Sequence, residues 1–204
     1  MRDLRIVFMG TPEFAVTILK KLVEDNFNIV GVVTASDKKA GRGRKINESA
    51  IKKYAVENKL KLLQPKNLKS EEFLSNLKAL NANLQIVVAF RMLPKVVWKM
   101  PAYGTFNLHA SLLPDYRGAA PIHWAIINGE EKTGVTTFFI DEKIDTGNII
   151  LQKEITIHDD EIVGELHDRL MNLGANLVSD TVLSIKSNSV TTQKQKKDSQ
   201  KIAP

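Results

Sequence analysis

The sequence predicts an α/β fold, a doubly wound, mostly parallel sheet with helices on both faces, and three observations carry that reading. Short β-branched runs alternate with stretches of helical spacing in a β-α-β-α rhythm. Residues 84–89, Leu-Gln-Ile-Val-Val-Ala, form an almost continuously apolar run, as expected of a strand covered on both faces. The chain is 204 residues long with 43% hydrophobic and 25% charged residues, enough to bury one substantial core.

The elements follow in order. Arg5 to Met9 reads as a buried strand, and Gly10-Thr11-Pro12 turns the chain into a helix with Thr11 as N-cap and Pro12 at its first position. The helix's apolar face is Phe14, Ile18, Leu19 and Leu22. Ile29 to Thr34 is a second strand, followed by a polar, glycine-rich loop and a helix near Ser49 to Asn58 with Ile51, Tyr54 and Ala55 on one side. Lys61 to Leu63, a helix from Ser70 to Leu80 and the strand Leu84 to Ala89 continue the rhythm. Thr105 to Leu108 and Val135 to Ile140 are the next strands, separated by a loop rich in proline and glycine and a short helix near Pro121 to Asn128. Asn148 to Ile157 makes a longer strand. Ile162 to Ile185 is a helix striped by Val163, Leu166, Leu170, Leu173 and Leu177, with Asp159, Asp160 and Glu161 at its positive end. Residues 1–185 are expected to form one main domain, and residues 186–204 have linker composition.

Composition excludes several kinds of chemistry. Without cysteine there are no disulfides, thiolate nucleophiles or cysteine-ligated zinc. No apolar run approaches the roughly 20 residues that span a bilayer, and Met1-Arg2-Asp3-Leu4 leads into a strand-like run without a signal peptide's longer apolar stretch. A cytoplasmic, membrane-free location is expected. The 29 basic residues outnumber 23 acidic ones, which favours a polyanionic partner weakly. Positive charge gathers at Lys38, Lys39, Arg42, Arg44 and Lys45, and again at Lys194, Lys196, Lys197 and Lys201. His123, His158 and His167 show no metal-ligand spacing and read as surface or packing residues.

Candidate chemistry begins where the strand Thr105-Phe106-Asn107-Leu108-His109 ends. Alternation turns Asn107 and His109 toward the same side, and the carboxyl end of a strand in an open α/β sheet is where ligands enter. Taken alone, Asn-x-His suits a hydrogen-bonded structural pair as well as a site. The segment running on from it is Ala110-Ser111-Leu112-Leu113-Pro114-Asp115-Tyr116-Arg117-Gly118-Ala119-Ala120-Pro121-Ile122.

Asn107-x-His109 followed by Ser111-Leu112-Leu113-Pro114 resembles the signature of the 10-formyltetrahydrofolate-dependent formyltransferases. Phe8-Met9-Gly10-Thr11-Pro12-Glu13-Phe14 is similar to the first strand and turn of the methionyl-tRNA formyltransferases in particular, and the resemblance runs from about residue 5 to 185. It implies a Rossmann-like formyltransferase fold. It also implies a third catalytic partner, an aspartate in a loop shaped like Asp141-Glu142-Lys143-Ile144-Asp145-Thr146-Gly147, where Asp145 holds that position. An amine attacking a formyl carbon generates an oxyanion, and a fixed donor aimed at it contributes roughly 3 to 4 kcal/mol. Asn107 offers such a donor, His109 a hydrogen bond or a proton, and Asp145 would orient His109 and help deprotonate the amine. No metal is expected.

The same resemblance implies that the pteridine of 10-formyltetrahydrofolate enters an apolar slot beside Ser111, Leu112, Leu113 and Pro114. Ile86 to Leu93, with Phe90, Arg91, Met92 and Leu93 foremost, and the backbone of Asp141 to Asp145, including Ile144, border it. Many relatives carry Tyr-Gly in place of Phe90-Arg91 and Gly in place of Lys143. Asp141 and Glu142 otherwise read as solvated turn carboxylates, and Val87, Val88 and Ala89 as sheet core.

Initiator methionyl-tRNA is the expected acceptor, on two features. The basic stretch Lys38 to Lys45, with Arg42 foremost, resembles the tRNA enzymes' loop that enters the acceptor stem, and Arg117 to Ile122 follows the folate motif. A solvated mobile loop fits that stretch equally by composition. The tRNA enzymes continue through a linker into a small β-barrel, so residues 186–204 are expected to lead toward such a domain. A monomeric bacterial protein is expected. The alternatives are a formyltransferase for glycinamide ribonucleotide or an amino-sugar nucleotide, or a non-catalytic nucleotide- or RNA-binding module. A dinucleotide oxidoreductase is disfavoured, because Gly10-Thr11-Pro12-Glu13 lacks the later glycines that let a pyrophosphate approach.

Overall fold

The computed structural model describes residues 1–40, 45–196 and 201–203. The chain divides into two compact units, Asp3–Thr105 and, with Met1–Arg2, Phe106–Pro204.

The amino-terminal unit opens with β1 (Ile6–Gly10), whose five residues are all buried, and α1 (Glu13–Glu24). Phe14, Ile18, Leu19 and Leu22 lie inside, as their spacing predicts, each worth about 2 kcal/mol of burial. Thr11 is not the N-cap: Pro12, at φ −80° and ψ 176°, occupies that place and accepts the Ala15 N–H at 3.0 Å. The ring fixes φ but ψ is extended, so the helix starts one residue later. β2 (Ile29–Val33) follows. The stretch expected as a plain loop contains a short antiparallel pair, β3 (Lys38–Ala40) with β4 (Lys45–Asn47). Local pairing satisfies backbone groups that no hydrophobic period announced.

α2 (Ala50–Glu57) is capped by Ser49, whose hydroxyl accepts from Lys52 N–H, and α3 (Glu71–Ala79) by Ser70, which accepts from Phe73 N–H. β5 (Leu62–Leu63) lies between these helices in sequence, and β6 (Leu84–Val88) follows α3. β1 pairs in parallel with both β2 and β6, and β2 pairs in parallel with β5. The single-turn helix α4 (Lys95–Trp98), too short for a periodic signature, ends the unit.

β7 (Thr105–His109), in the carboxyl-terminal unit from Phe106 onward, leads into β8 (Arg117–Gly118), α5 (Pro121–Ile127), β9 (Lys132–Phe139) and β10 (Ile149–Thr156). β9 runs antiparallel to both β7 and β10. α6 (Val163–Lys186), 24 residues and about 36 Å long, packs on β9 and β10. Leu166, Leu170 and Leu177 are buried along its predicted stripe, while Val163 and Leu173 are half-buried. Before its first turn, Glu161 is buried and paired with Arg169 at 2.6 Å. The final strand, β11 (Ile202–Ala203), pairs in parallel with β8. The α/β class with mostly parallel strands and interleaved helices is therefore what the chain adopts.

Candidate active site

His109, the last residue of β7, and Asp145, in the loop between β9 and β10, meet. His109 Nδ1 lies 3.8 Å from Asp145 Oδ2, with side chains only 8% and 15% exposed. That separation is an ion-pair distance rather than a hydrogen bond. The other imidazole nitrogen, Nε2, is 2.7 Å from the Tyr116 carbonyl oxygen. A carbonyl only accepts, so Nε2 carries a hydrogen, and Nδ1 is the nitrogen left to gain or lose a proton. The Asp145 carboxylate accepts the Gly118 N–H at 3.0 Å. Asp145 itself sits at φ +53°, in the left-handed region that Asp tolerates better than most side chains.

Asn107 lies two residues before His109 on β7, half-buried. No hydrogen bond from the described residues engages its carboxamide. The structural-pair reading of Asn-x-His thus has no bond among the described residues to support it.

The loop that follows is held by buried and part-buried polar bonds. Ser111 Oγ donates to the Asp115 carbonyl at 2.6 Å, and Thr136 Oγ1 on β9 donates to the Ser111 carbonyl at 2.6 Å while accepting Leu113 N–H at 3.2 Å. Gln152 Nε2 donates to Leu113 O at 2.8 Å and to Thr136 Oγ1 at 2.9 Å. Leu113 packs with Phe138 and Ile149, Leu112 and Pro114 are half-buried, and the Leu113–Pro114 peptide is cis. Thr136 and Gln152 escaped the sequence reading. Their signal was weak: a threonine pair inside an apolar strand, and a glutamine whose partner lies 39 residues away.

On the carboxylate-bearing loop, Asp141 Oδ1 accepts from Lys143 N–H at 3.0 Å and Thr146 Oγ1 at 2.7 Å, the self-bonded turn expected of an exposed Asp. Ile144 is 58% exposed. Gly147 closes the loop where a Cβ would stand 1.6 Å from the Phe139 carbonyl oxygen, so no other residue fits.

The remaining predicted residues belong to the amino-terminal unit. Val87 and Val88 are core, as expected, but Ala89 is exposed at φ +45° and turns the chain out of β6. Phe90 is half-buried and Leu93 buried, whereas Arg91 and Met92 are exposed. Arg91 donates to Lys66 O at 2.9 Å and also to Pro65 O, and stands 5.7 Å from the Phe90 ring centre. Lys38 and Lys39 fall on β3 and Lys45 on β4, while Arg42 and Arg44 lie outside the described residues. Among the described residues no cluster of three or more His, Asp or Glu is arranged to hold a metal ion, and no helix is long and apolar enough to cross a membrane.

Residues 4–182 match the sequence pattern of the family described as formyl transferase. The chain belongs to that family. It is 69% identical to the methionyl-tRNA formyltransferase of Flavobacterium johnsoniae over 94% of this chain and 61% of that protein. It is 46% identical to the methionyl-tRNA formyltransferase of Clostridioides difficile over 98% of this chain and 65% of that one. The chain thus spans a little over three fifths of these relatives' length. The phosphoribosylglycinamide formyltransferase of Anaplasma phagocytophilum shares the fold with a TM-score of 0.77 at 18% identity, all of both chains being covered. A sugar 3N-formyl transferase solved with dTDP and 5-N-formyl-THF shares it at 0.72 and 23% identity, over 99% of this chain and 70% of that one. In this chain Asn107 and His109 sit on β7, and Ser111 to Pro114 and Asp145 on the loops that follow β7 and β9.

Proposed function

We propose that this chain transfers the formyl group of 10-formyltetrahydrofolate to the amino group of initiator methionyl-tRNA. The observation that carries the transfer chemistry is the buried His109–Asp145 pair, with Nε2 committed to Tyr116 and the carboxylate held by Gly118 N–H. Protonated His109 presents Nδ1–H and Asn107 its amide N–H to the oxyanion that forms when the amine attacks the formyl carbon. Asp145 accepts the proton the amine loses, directly or through water. The carbon–nitrogen bond to the folate then breaks, the oxyanion collapses to the amide, and a proton returns to the folate nitrogen.

By sequence resemblance, the co-substrate falls to Ser111, Leu112, Leu113, Pro114, Asp141 and Ile144, and to Phe90, Arg91, Met92 and Leu93. The bonds of Thr136 and Gln152 to the Ser111–Leu113 backbone support the first group by keeping that loop from rearranging. Lys38, Lys39, Arg42, Arg44 and Lys45 are the proposed tRNA phosphate contacts. High identity to the methionyl-tRNA enzymes favours tRNA over a small amine.

The test supplies the protein with 10-formyltetrahydrofolate and three acceptors in parallel: methionyl-tRNA, glycinamide ribonucleotide and an amino-sugar nucleotide. Formyl-methionyl-tRNA as the dominant product is expected. Preferential formylation of either small amine, or tRNA binding without turnover, overturns the assignment.

A further inference from the structure

Gln195 lies beyond α6, in the stretch that composition alone reads as linker, yet its carboxamide is fully engaged. Nε2 donates to the carbonyl oxygens of Asp145 at 2.9 Å and Gly147 at 2.8 Å. Oε1 accepts from the Arg117 guanidinium, through Nε at 3.1 Å and through Nη2. Arg117 precedes Gly118, whose N–H holds the Asp145 carboxylate. One side chain therefore ties the backbone of Asp145 to the strand that grips the same residue's carboxylate. A non-glycine residue at positive φ stays there only when its surroundings hold it, and Gln195 ties its backbone from outside the loop as Gly118 ties its carboxylate.

The segment carrying Gln195 is itself anchored on either side. Gln193 and Ile149 exchange both backbone hydrogen bonds, at 2.8 and 2.9 Å. Downstream, β11 pairs with β8 so closely that a Cβ on Gly118 would stand 1.9 Å from the Ala203 carbonyl oxygen, and Gly118 also has φ +117°. Lys201 pairs with Glu130, and Tyr116 N–H donates to the Lys201 carbonyl oxygen. Tyr116 is the residue whose own carbonyl faces His109 Nε2.

We propose that Gln195 is a positioning residue that sets the Asp145 carboxylate against His109, in an inference that rests on the formyl-transfer reading above. Its carboxamide is committed to protein partners, so it acts through the 141–147 loop. Displacement of a reacting group by about 1 Å can cost on the order of 10²-fold in rate, so Gln195→Ala should lower kcat about 10- to 100-fold, a larger change than in either KM. Gln195→Glu keeps the acceptor toward Arg117 but places an oxygen against two carbonyls, and should lose at least as much.

The decisive measurement is a double-mutant cycle on the full chain. If Gln195 works through Asp145, adding Gln195→Ala to Asp145→Asn should lower the residual rate no further. Amide exchange over residues 141–147 supplies a readout independent of turnover: protection should fall about tenfold in Gln195→Ala with Tm unchanged. If that variant does not fold, Gln195→Asn, one methylene too short to span both partners, carries the same expectations. A kcat retained within about twofold, an undiminished loss in the Asp145→Asn background, or unaltered exchange overturns the proposal. If the unmutated protein formylates none of the three acceptors, the functional reading fails, and the exchange experiment alone decides whether Gln195 holds the loop.

Discussion

The strands β1 and β9 are buried in different ways. Every residue of β1 is inside, and Ile6, Val7, Phe8 and Met9 are wholly inaccessible, so that strand is held by apolar burial and its backbone ladder. β9 is nearly as buried, yet Thr133, Thr136 and Thr137 are among its inaccessible residues. Thr136 serves the Ser111–Leu113 loop, and Thr137 shares a 2.8 Å bond with Thr181 on α6. A strand stabilised by burial tolerates many apolar side chains of suitable volume. One whose hydroxyls reach particular carbonyls fixes the position of a loop, as Thr136 of β9 does for Ser111–Leu113.

The largest effect should come from the chemistry. Asp145→Asn should lower kcat by about 10² to 10⁴ with Tm nearly unchanged, because it removes a proton acceptor and leaves the shape. A comparable loss of Tm would place the residue with the strands. Leu19→Ala, on the apolar side of the comparison, should cost about 2 to 5 kcal/mol in a urea titration while kcat of the folded fraction stays near wild type. Thr136→Val reverses the balance. It orphans buried backbone groups for about 1 to 3 kcal/mol and should raise the KM for the folate co-substrate. An unaltered KM would remove the link between β9 and that loop.

The tail yields a pH-dependent effect. Burial by itself would raise the Glu130 pKa, but hydrogen bonds from Lys201 and Tyr116 outweigh it and hold the carboxyl below its ordinary value. The bond to Glu130 raises the Lys201 pKa. A depressed carboxyl contributes stability above its unfolded pKa and loses it as pH falls through the folded one; a raised lysine loses its contribution only as pH rises through its own elevated value. The Tm difference between wild type and Glu130→Gln should therefore persist through neutrality and vanish below the usual carboxylate range. A difference that survives in acid would detach the effect from the ion pair. The smallest change is expected from Arg42→Ala, which should reduce the salt slope of tRNA binding by about one unit with little effect on folding. An unaltered slope would remove Arg42 from the proposed phosphate contacts.

Much of the fold was legible because periodicity records burial. The faces of α1 and α6 and the apolar runs of β1 and β6 appear in residue order. The β3–β4 pair, α4 and the β8–β11 pair were not, since elements of two to four residues are too short to display a period. The start of α1 was misplaced because Thr11 and Pro12 form a good sequence signal that the extended ψ of Pro12 overrides. Of the proposed site, Asn107 and His109 were legible from strand alternation, and Ser111 to Pro114 and Asp145 only through resemblance to a family.

The amino-acid order by itself determined the α/β class, the apolar faces that drive it, the lack of thiol chemistry and the residue types available for proton and oxyanion work. Tertiary structure decided which nitrogen of His109 is committed to Tyr116, that Gly118 holds the Asp145 carboxylate, and that Gln195 reaches back to that loop. These are hydrogen bonds between residues as much as 78 positions apart. Their directions depend on how strands and loops pack, and no local pattern along the chain records them.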